Sequence, residues 1–212
     1  YEPVICLHNY HYGQSMPALD LDLDLFDLMP DKDHLLTLEE WDKMLLPALR
    51  DVKQTLSAET HSHRLHIYLQ TLLPVAIALG FTFPKTSNFS LVITDQRVLW
   101  SSQGQPTGPV PLRSFSFSYN NSDPKVAVIE LAITRSTEHS VKEALNALSL
   151  VPGHHLRLEP LEGPSQTSIK DANHALAMAH QIGQVCRELY DKQAVSRIHL
   201  FAAISAPLGV LI

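Results

Sequence analysis

One apolar pattern occurs twice in this chain of 212 residues. The first copy spans residues 64–79 and reads RLHIYLQTLLPVAIAL, and the second spans residues 197–212 and reads RIHLFAAISAPLGVLI. The Arg, His and Pro residues align without a gap, and apolar residues align with apolar residues around them. Each copy predicts a buried strand, a short turn and a helix that begins near the proline, because the first turn of a helix does not need the N–H group that proline lacks.

The sequence before each copy is repeated as well. Apolar residues at helical spacing precede both copies. Thr37 and Glu40 have the spacing of a capping box before the first of these helices, and Ser168 and Asp171 have it before the second. The repeat therefore extends well beyond the apolar pattern.

A strand candidate precedes each of these helices, at residues 19–26 and 125–134. The predicted unit is strand, helix, strand, helix, used twice, which implies parallel pairing with right-handed crossovers. We therefore predict an α/β fold of two Rossmann-like βαβ halves with mainly parallel sheets. The halves are expected at 19–119 and 120–212, after a lead-in at 1–18.

Shorter patterns fill in the two halves. Residues 91–94 and 112–118 predict further strands, and residues 120–124 predict a turn that separates the halves. In the second half, a predicted helix at 141–148 and a predicted strand at 156–161 are interpreted as an insertion after the first strand. The second half ends within a predicted helix, so we expect it to be incomplete and the chain to be a piece of a longer polypeptide.

Composition excludes some classes of function. The formal net charge of −6 argues against broad binding to a nucleic-acid polymer, which favours a basic surface. The two cysteines, Cys6 and Cys186, are too few for a disulfide scaffold and predict reduced thiols in a cytoplasmic protein. No apolar run is long enough to cross a bilayer, so no membrane partner is expected.

Metal and catalytic motifs are weak. Asp20, Asp22 and Asp24 alternate with leucines and could hold a divalent metal, but the glycine of a calcium loop is missing, so we interpret them as a solvated strand face. The twelve histidines do not form a known zinc spacing, and cysteines are missing from those spacings. The chain also lacks the Gly-x-Ser-x-Gly elbow and the glycine-rich phosphate loops. We predict no metal and no catalytic residue.

The predicted parallel sheets point to a binding site. Ligands of open α/β sheets bind outside the carboxyl ends of the strands. An arginine there could pair with phosphate, hydroxyls could reach ribose, and N–H groups at helix starts favour anions. The candidate binding residues are Gln70, Thr71, Leu72, Trp100, Thr134, Arg135, Ser136, Ile204 and Ser205.

Over most of its length the chain resembles the SAVED domain, the sensor module of effectors in bacterial CBASS antiphage systems. The residues that carry the resemblance are the segment 197–212, the strand 126–134 with Arg135 and Ser136, Gly163-Pro164 before the Ala-rich helix, and Trp41. SAVED domains consist of two fused CARF-like halves, which agrees with the repeat.

The resemblance implies a sensor that binds a cyclic di- or trinucleotide, made by a partner nucleotidyltransferase of the CD-NTase type, in a composite pocket between the two halves. It also implies self-association on binding and activation of a fused nuclease, TIR or protease effector in the bacterial cytoplasm. No cofactor and no catalysis by this fragment are implied. Two other classes stay open: an enzyme that uses Asp20, Asp22 and Asp24, either a nucleotidyltransferase or a ring nuclease, and an assembly module without a ligand.

Overall fold

A computed structural model of the chain describes residues 2–9, 18–30, 36–59, 63–84, 86–95, 98–106 and 111–212. The chain folds as two compact units. The first unit consists of Tyr1–Gly104 together with Ala206–Ile212, and the second consists of Gln105–Ser205. No helix in the described ranges has the length and apolar character that crossing a membrane requires.

The first unit is built on a five-stranded sheet in the order β2-β1-β3-β4-β5. Its pairings β1–β2, β1–β3 and β3–β4 are parallel, and β5 is antiparallel to β4. The strands are β1 (Val4–His8), β2 (Leu21–Asp24), β3 (Arg64–Gln70), β4 (Ser90–Asp95) and β5 (Val98–Ser101).

A long helical segment connects β2 to β3. It consists of α1 (Leu38–Glu40), a π-helical turn (Trp41–Leu45) and α2 (Leu46–Glu59). The predicted capping box is confirmed, because the Thr37 Oγ1 accepts from the Glu40 N–H at 3.3 Å and the Glu40 carboxylate accepts from the Thr37 N–H at 2.7 Å. These bonds satisfy N–H groups that the first helical turn leaves without partners, which explains why the helix begins here.

Helix α3 (Leu73–Thr82) connects β3 to β4, with Pro74 in its first turn as the sequence predicts. The connections from β2 to β3 and from β3 to β4 run in the same direction across the sheet. Right-handed crossovers then place α2 and α3 on one face, and the two helices contact each other.

The faces of the first sheet differ in polarity. Side chains alternate between faces along a strand. One face carries Ile5, Leu7, Ile67 and Ile93, which are at most 4% exposed and form the core of the unit. The other, more polar face carries the even-numbered residues of β1 and β2, among them the buried Cys6 and His8 and the half-exposed Asp22 and Asp24.

The second unit has a four-stranded sheet in the order β6-β8-β7-β9. Strand β7 is parallel to both β8 and β9, and the edge strand β6 is antiparallel to β8. The elements are β6 (Leu112–Phe117), β7 (Asp123–Ala132), α4 (Glu138–Ala147), β8 (Pro152–Pro160), α5 (Ala172–Gln193) and β9 (Arg197–Ala203).

Two helices pack on this sheet. Helix α5 contacts β7, while Val141 and Leu145 of α4 form an apolar cluster with Val128 of β7. The sequence predicts a Ser168–Asp171 capping box for α5, but the structure differs. Asp171 is itself the N-cap, and its carboxylate accepts from the N–H of His174 at 2.8 Å.

The last helix, α6 (Ala206–Leu211), belongs to the first unit and packs against α3. Both contact points are glycines. A Cβ added at Gly80 would collide with the backbone of Val210, and one added at Gly209 would lie 2.7 Å from the Leu73 side chain. The helices of the two repeated segments therefore approach backbone to backbone at Gly80, and the Leu73 side chain of α3 packs directly on the backbone of α6 at Gly209.

The fold confirms the repeated α/β architecture with mainly parallel sheets. The order β2-β1-β3 in the first unit matches β8-β7-β9 in the second, with parallel pairing in both. This correspondence corrects the alignment of the first strands, because β1 and not β2 is the counterpart of β7. The predicted helix and strand at 141–161 are therefore part of the repeated unit and not an insertion.

The boundaries of the units also differ from the predicted halves. The expected lead-in at 1–18 contains β1, which lies inside the first sheet, and β6 belongs to the second unit although it was expected at the end of the first half. Strand pairing explains this difference, since β6 pairs with β8, more than thirty residues later in the chain.

Candidate functional site

In the first unit, two buried polar side chains lie at the carboxyl edge of the sheet. Asn9 follows β1 and Thr71 follows β3, and the Asn9 N–H donates to the Gln70 carbonyl at 3.2 Å, which brings the two strand ends together. Asn9 and Thr71 are 3% and 7% exposed, yet within the described part of the chain Asn9 Oδ1 and Thr71 Oγ1 have no hydrogen-bond partner. Because buried polar atoms are normally paired, these two are candidates for contact with a ligand.

Helix α3 begins at the same place. Leu72, its N-cap, is extended and provides no side-chain cap, and Pro74 occupies the first turn. The start of a helix carries a partial positive charge, which favours an anion. Pro74 has no N–H, and the Val75 N–H already donates to the Leu72 carbonyl at 3.1 Å, so the helix dipole is the main attraction for an anion here. Thus Gln70, Thr71 and Leu72 lie where the sequence predicted, at the end of β3. Asn9 was missed because its segment was interpreted as a lead-in.

Trp100 lies elsewhere in the first unit. It belongs to the edge strand β5 and pairs with Ile93, which in turn pairs with Ile67 in the middle of β3, so the tryptophan lies level with the middle of the strands and not at their carboxyl ends. Its side chain is buried, and its Nε1 has no hydrogen-bond partner in the ranges that the structure describes. The structure does not bring Trp100 together with Thr71.

In the second unit, the predicted residues follow β7 and β9. The Thr134 N–H and Oγ1 both donate to the Ala203 carbonyl, at 2.9 and 3.0 Å, so this threonine ties the two strand ends together. Arg135 and Ser136 are exposed. Ile204 and Ser205 are half-buried, and Ser205 Oγ has no partner among the described residues. Arg135, Ser136 and Ser205 are therefore the members of this group that could contact a ligand.

A cavity of about 420 Å³ lies in the second unit, beside the loop between β8 and α5. Gly163, Ser165, Lys170 and His174 are among its lining residues. The Ser165 N–H donates to the carbonyl of Ile133, just after β7, so the loop lies over the carboxyl edge of the sheet. Sequence analysis identified only the Gly163-Pro164 turn here. The run of Ser, Thr and Lys residues at 165–170, directly before a long helix, is the signal that could have indicated this cavity.

The three aspartates of β2 and its flank all have partners in β1. Asp20 accepts from the Val4 N–H at 2.7 Å, and Asp22 accepts from His8 Nε2 at 2.9 Å. Asp24 Oδ1 lies 3.9 Å from His8 Nδ1. Asp22 and Asp24 are each about half exposed, as the prediction of a solvated strand face requires. Their inner sides, however, lie beside the buried side chains of His8 and Cys6. Burial first, and then the charges of these two carboxylates, raise the pKa of the Cys6 thiol to about 12.

A buried charged cluster lies on the sheet of the second unit. Glu130 of β7 accepts hydrogen bonds from Thr137 and from His155, whose other ring nitrogen lies 2.6 Å from the Tyr119 hydroxyl. Arg157 of β8 lies 3.9 Å from the same carboxylate. Burial alone would raise the pKa of Glu130, but the hydrogen bonds from His155 and Thr137 and the charge of Arg157 outweigh it and hold the pKa below its usual value. The cluster has its own internal partners, which indicates a structural role.

Comparison with known proteins identifies the family. Residues 48–212 match the model of SAVED, the SMODS-associated and fused to various effectors sensor domain. Among curated proteins, none matches the chain.

Solved structures have the same fold. The Acinetobacter baumannii Cap4 SAVED/CARF-domain containing receptor with the cyclic trinucleotide 3'3'3'-cAAA has a TM-score of 0.80 at 16% identity, over 99% of this chain and 45% of that chain. The same receptor with 2'3'3'-cAAA has a TM-score of 0.79 at 16% identity, with the same coverage of 99% and 45%. The Moraxella osloensis Cap4 receptor has a TM-score of 0.64 at 19% identity, over 99% of this chain and 43% of that chain.

The chain thus spans less than half the length of each of these receptors. The family match covers well over half of this chain and includes both sheets from β3 onward. With the repeated βαβ units, this match shows that the chain belongs to the SAVED family of sensor domains.

Proposed function

We propose that this chain is the sensor module of a bacterial antiphage effector and binds a cyclic di- or trinucleotide second messenger. The family consists of sensor domains, and two of the structures with the same fold hold cyclic trinucleotides. A cyclic oligonucleotide has phosphates, ribose hydroxyls and base edges, so its site needs groups that bind anions and hydrogen-bonding side chains together.

One observation supports this proposal most directly. Asn9 Oδ1 and Thr71 Oγ1 are buried, without partners among the described residues, at the carboxyl edge of a parallel sheet beside the start of α3, which has no side-chain cap. Leaving a buried polar atom unpaired costs roughly 1–3 kcal/mol. A ligand that hydrogen-bonds both atoms would remove that cost, and a phosphate near α3 would be stabilised by the helix dipole.

The carboxyl edge of the sheet in the second unit also carries side chains that could bind the ligand. Arg135 follows β7 and is exposed, and Ser205 follows β9 with a hydroxyl that no described residue pairs with. A guanidinium can bind phosphate through two parallel hydrogen bonds. We therefore assign Arg135 to phosphate binding and Ser205 to a hydrogen bond with ribose or base.

The test is a thermal-shift panel of cyclic di-, tri- and tetranucleotides, with linear mononucleotides at the same concentration as the control. A ligand that binds only the folded state stabilises it by about 2.7 kcal/mol at a hundredfold excess over Kd. We expect one cyclic oligonucleotide to raise the melting temperature and the mononucleotides to leave it unchanged. A complete panel without a shift would refute the proposal.

Activation of an effector requires that the ligand favours one state of the protein. A ligand shifts an equilibrium only by its difference in affinity for the two states. We propose that the ligand, made by a CD-NTase, binds the self-associated state more tightly and so activates a fused nuclease, TIR or protease domain. Sedimentation velocity with and without ligand tests this step, and an unchanged sedimentation coefficient at saturating ligand would contradict it.

The alternative of an enzyme that uses Asp20, Asp22 and Asp24 is distinguished by the fate of the ligand. A sensor releases the cyclic oligonucleotide intact, whereas a ring nuclease releases linear products. Chromatography of the ligand after long incubation separates the two. Linear products that disappear in Asp22→Asn would favour the enzyme.

A further inference from the structure

Two neighbouring strands of the first unit bring metal-binding side chains together. Strands β1 and β2 are parallel, with Cys6 opposite Asp22 and His8 opposite Asp24. Residues that stand opposite each other in a sheet share a face, and residues two apart in a strand share it as well. Cys6, His8, Asp22 and Asp24 therefore occupy one patch of the polar face.

Three of these side chains have the spacing of a coordination site. One ligand atom from each of Cys6, His8 and Asp22 lies within 4.8 Å of the other two. Ligand atoms around tetrahedral zinc lie about 3.3–3.6 Å apart, given zinc bonds of about 2.0–2.3 Å. The His8 Nε2 to Asp22 Oδ1 distance is 2.9 Å, so these two atoms would move apart by only a few tenths of an ångström to hold the ion.

The burial of the three ligands suits a bound ion that keeps contact with solvent. Cys6 is fully buried and His8 is 9% exposed, while the Asp22 side chain is 55% exposed. An ion could enter past Asp22, and water could occupy a fourth position on that side. A site with three protein ligands and one open position is a known arrangement for zinc.

Asp24 is placed to support His8. Its Oδ1 lies 3.9 Å from His8 Nδ1, the ring nitrogen that does not contact Asp22, and it accepts from the Phe26 N–H at 2.8 Å, which holds the carboxylate in position. Histidines that bind a metal through one nitrogen usually donate the other N–H to a carboxylate or carbonyl oxygen. At 3.9 Å the two atoms are not hydrogen-bonded, and an approach of about 1 Å would let Asp24 act as the orienting group of such a site.

We propose that Cys6, His8 and Asp22 bind a divalent metal ion of the zinc class, with Asp24 orienting His8. Thiolate and imidazole ligands select zinc and similar ions, whereas magnesium and calcium prefer oxygen ligands alone. The ion would link the four-residue edge strand β2 to β1 within a few residues of Asn9. Its role is therefore to hold the carboxyl edge of this sheet in place, independently of whether a cyclic oligonucleotide binds there.

The experiment is a titration of the metal-free chain with Co²⁺ followed by displacement with Zn²⁺. Cobalt bound to a thiolate gives a sulfur-to-metal charge-transfer band in the near ultraviolet, and the other histidines of the chain cannot produce this band. We expect the band to saturate at one Co²⁺ per chain and to disappear when Zn²⁺ is added. Absence of the band at saturating Co²⁺ would overturn the proposal.

Variants identify the ligands. Cys6→Ser should abolish the band, and Cys186→Ser, which changes the other free cysteine, should leave it intact. Cys6 is buried, so its replacement could impair folding. Asp22 is exposed, and Asp22→Asn should therefore leave the fold intact and lower zinc affinity by more than tenfold.

Asp20→Asn is the matched control for Asp22→Asn, because it removes the same charge from the same end of the chain while the amide oxygen can still accept from Val4. We expect Asp20→Asn to change zinc affinity by less than threefold. Asp24→Asn should lower affinity by about 10- to 100-fold, the effect typical of an orienting group. Equal losses in Asp20→Asn and Asp22→Asn would show a general charge effect and overturn the site.

Discussion

His155 Nε2 lies 3.3 Å from the Glu130 carboxylate, and the two side chains are only 5% and 2% exposed. The carboxylate accepts and the imidazole donates, so the ring nitrogen on the other side is left to pair with the Tyr119 hydroxyl at 2.6 Å. A buried carboxylate without such partners would carry a large desolvation cost. The second sheet therefore depends on this pair remaining intact.

The first prediction concerns acid stability. The pKa of Glu130 is lower in the folded state than its ordinary value of 4.5, so the folded carboxylate releases its proton more readily than the unfolded one. Its contribution to the free energy of unfolding is fully present above the unfolded-state pKa and is lost as pH falls through the lowered folded-state pKa. We expect Glu130→Gln to lower the free energy of unfolding by roughly 1–3 kcal/mol at neutral pH and to flatten its decline below about pH 5.

Urea denaturation at a series of pH values measures both effects. Glu138→Gln is the control, since Glu138 also contacts Arg157, at 3.0 Å, but its side chain is exposed. Changes at exposed positions usually stay within about 0.5 kcal/mol. A Glu130→Gln protein as stable as Glu138→Gln at neutral pH would contradict the prediction.

The second prediction concerns Arg135. Arg135→Ala removes an exposed side chain after β7, so the melting temperature of the free protein should hardly change. Affinity for the cyclic oligonucleotide should fall by about 1.5–3 kcal/mol, or roughly tenfold to a hundredfold. Calorimetric titration measures this loss. Arg197→Ala, which removes an exposed arginine at the opposite end of the second sheet, should keep the original affinity.

The third prediction compares two buried threonines. Thr71 Oγ1 has no partner in the part of the chain that the structure describes, whereas Thr82 Oγ1 donates to the Ala78 carbonyl at 2.8 Å. Thr71→Val should therefore maintain or raise the melting temperature, while Thr82→Val should lower the free energy of unfolding by about 0.5–1.5 kcal/mol. In calorimetry with ligand, Thr71→Val should lose about twofold to tenfold in affinity. A Thr71→Val protein with lower stability and full affinity would assign the hydroxyl to the fold instead.

The fourth prediction concerns the contact between α3 and α6. A methyl group at position 80 would collide with the Val210 backbone, so Gly80→Ala should cost about 1–3 kcal/mol of the free energy of unfolding. Gly183→Ala is the matched control, because a Cβ there meets only the Arg187 guanidinium, at 3.6 Å. In the middle of α5 that change should stabilise the protein by about 0.5–1 kcal/mol. Chemical denaturation measures the free energy of unfolding of both variants. A Gly80→Ala protein as stable as the original would refute the close contact.

The sequence alone determined the repeated architecture. Apolar periodicity is a local property, so the segments at 64–79 and 197–212 predicted their strands and helices before any contact was known. Thr37 and Glu40 likewise predicted the start of α1, because a capping box involves only residues within one helical turn. The positions of Gln70, Thr71, Thr134 and Arg135 at strand ends follow from the same local signals.

Only the tertiary structure decided which strand lies beside which. Strand β1 is five residues long and has no clear pattern, and its place between β2 and β3 depends on hydrogen bonds to residues far along the chain. That pairing sets Cys6 opposite Asp22 and brings Asn9 beside Gln70. Local sequence carries no record of register between distant strands, because register is selected by the burial of whole faces and not by any single residue.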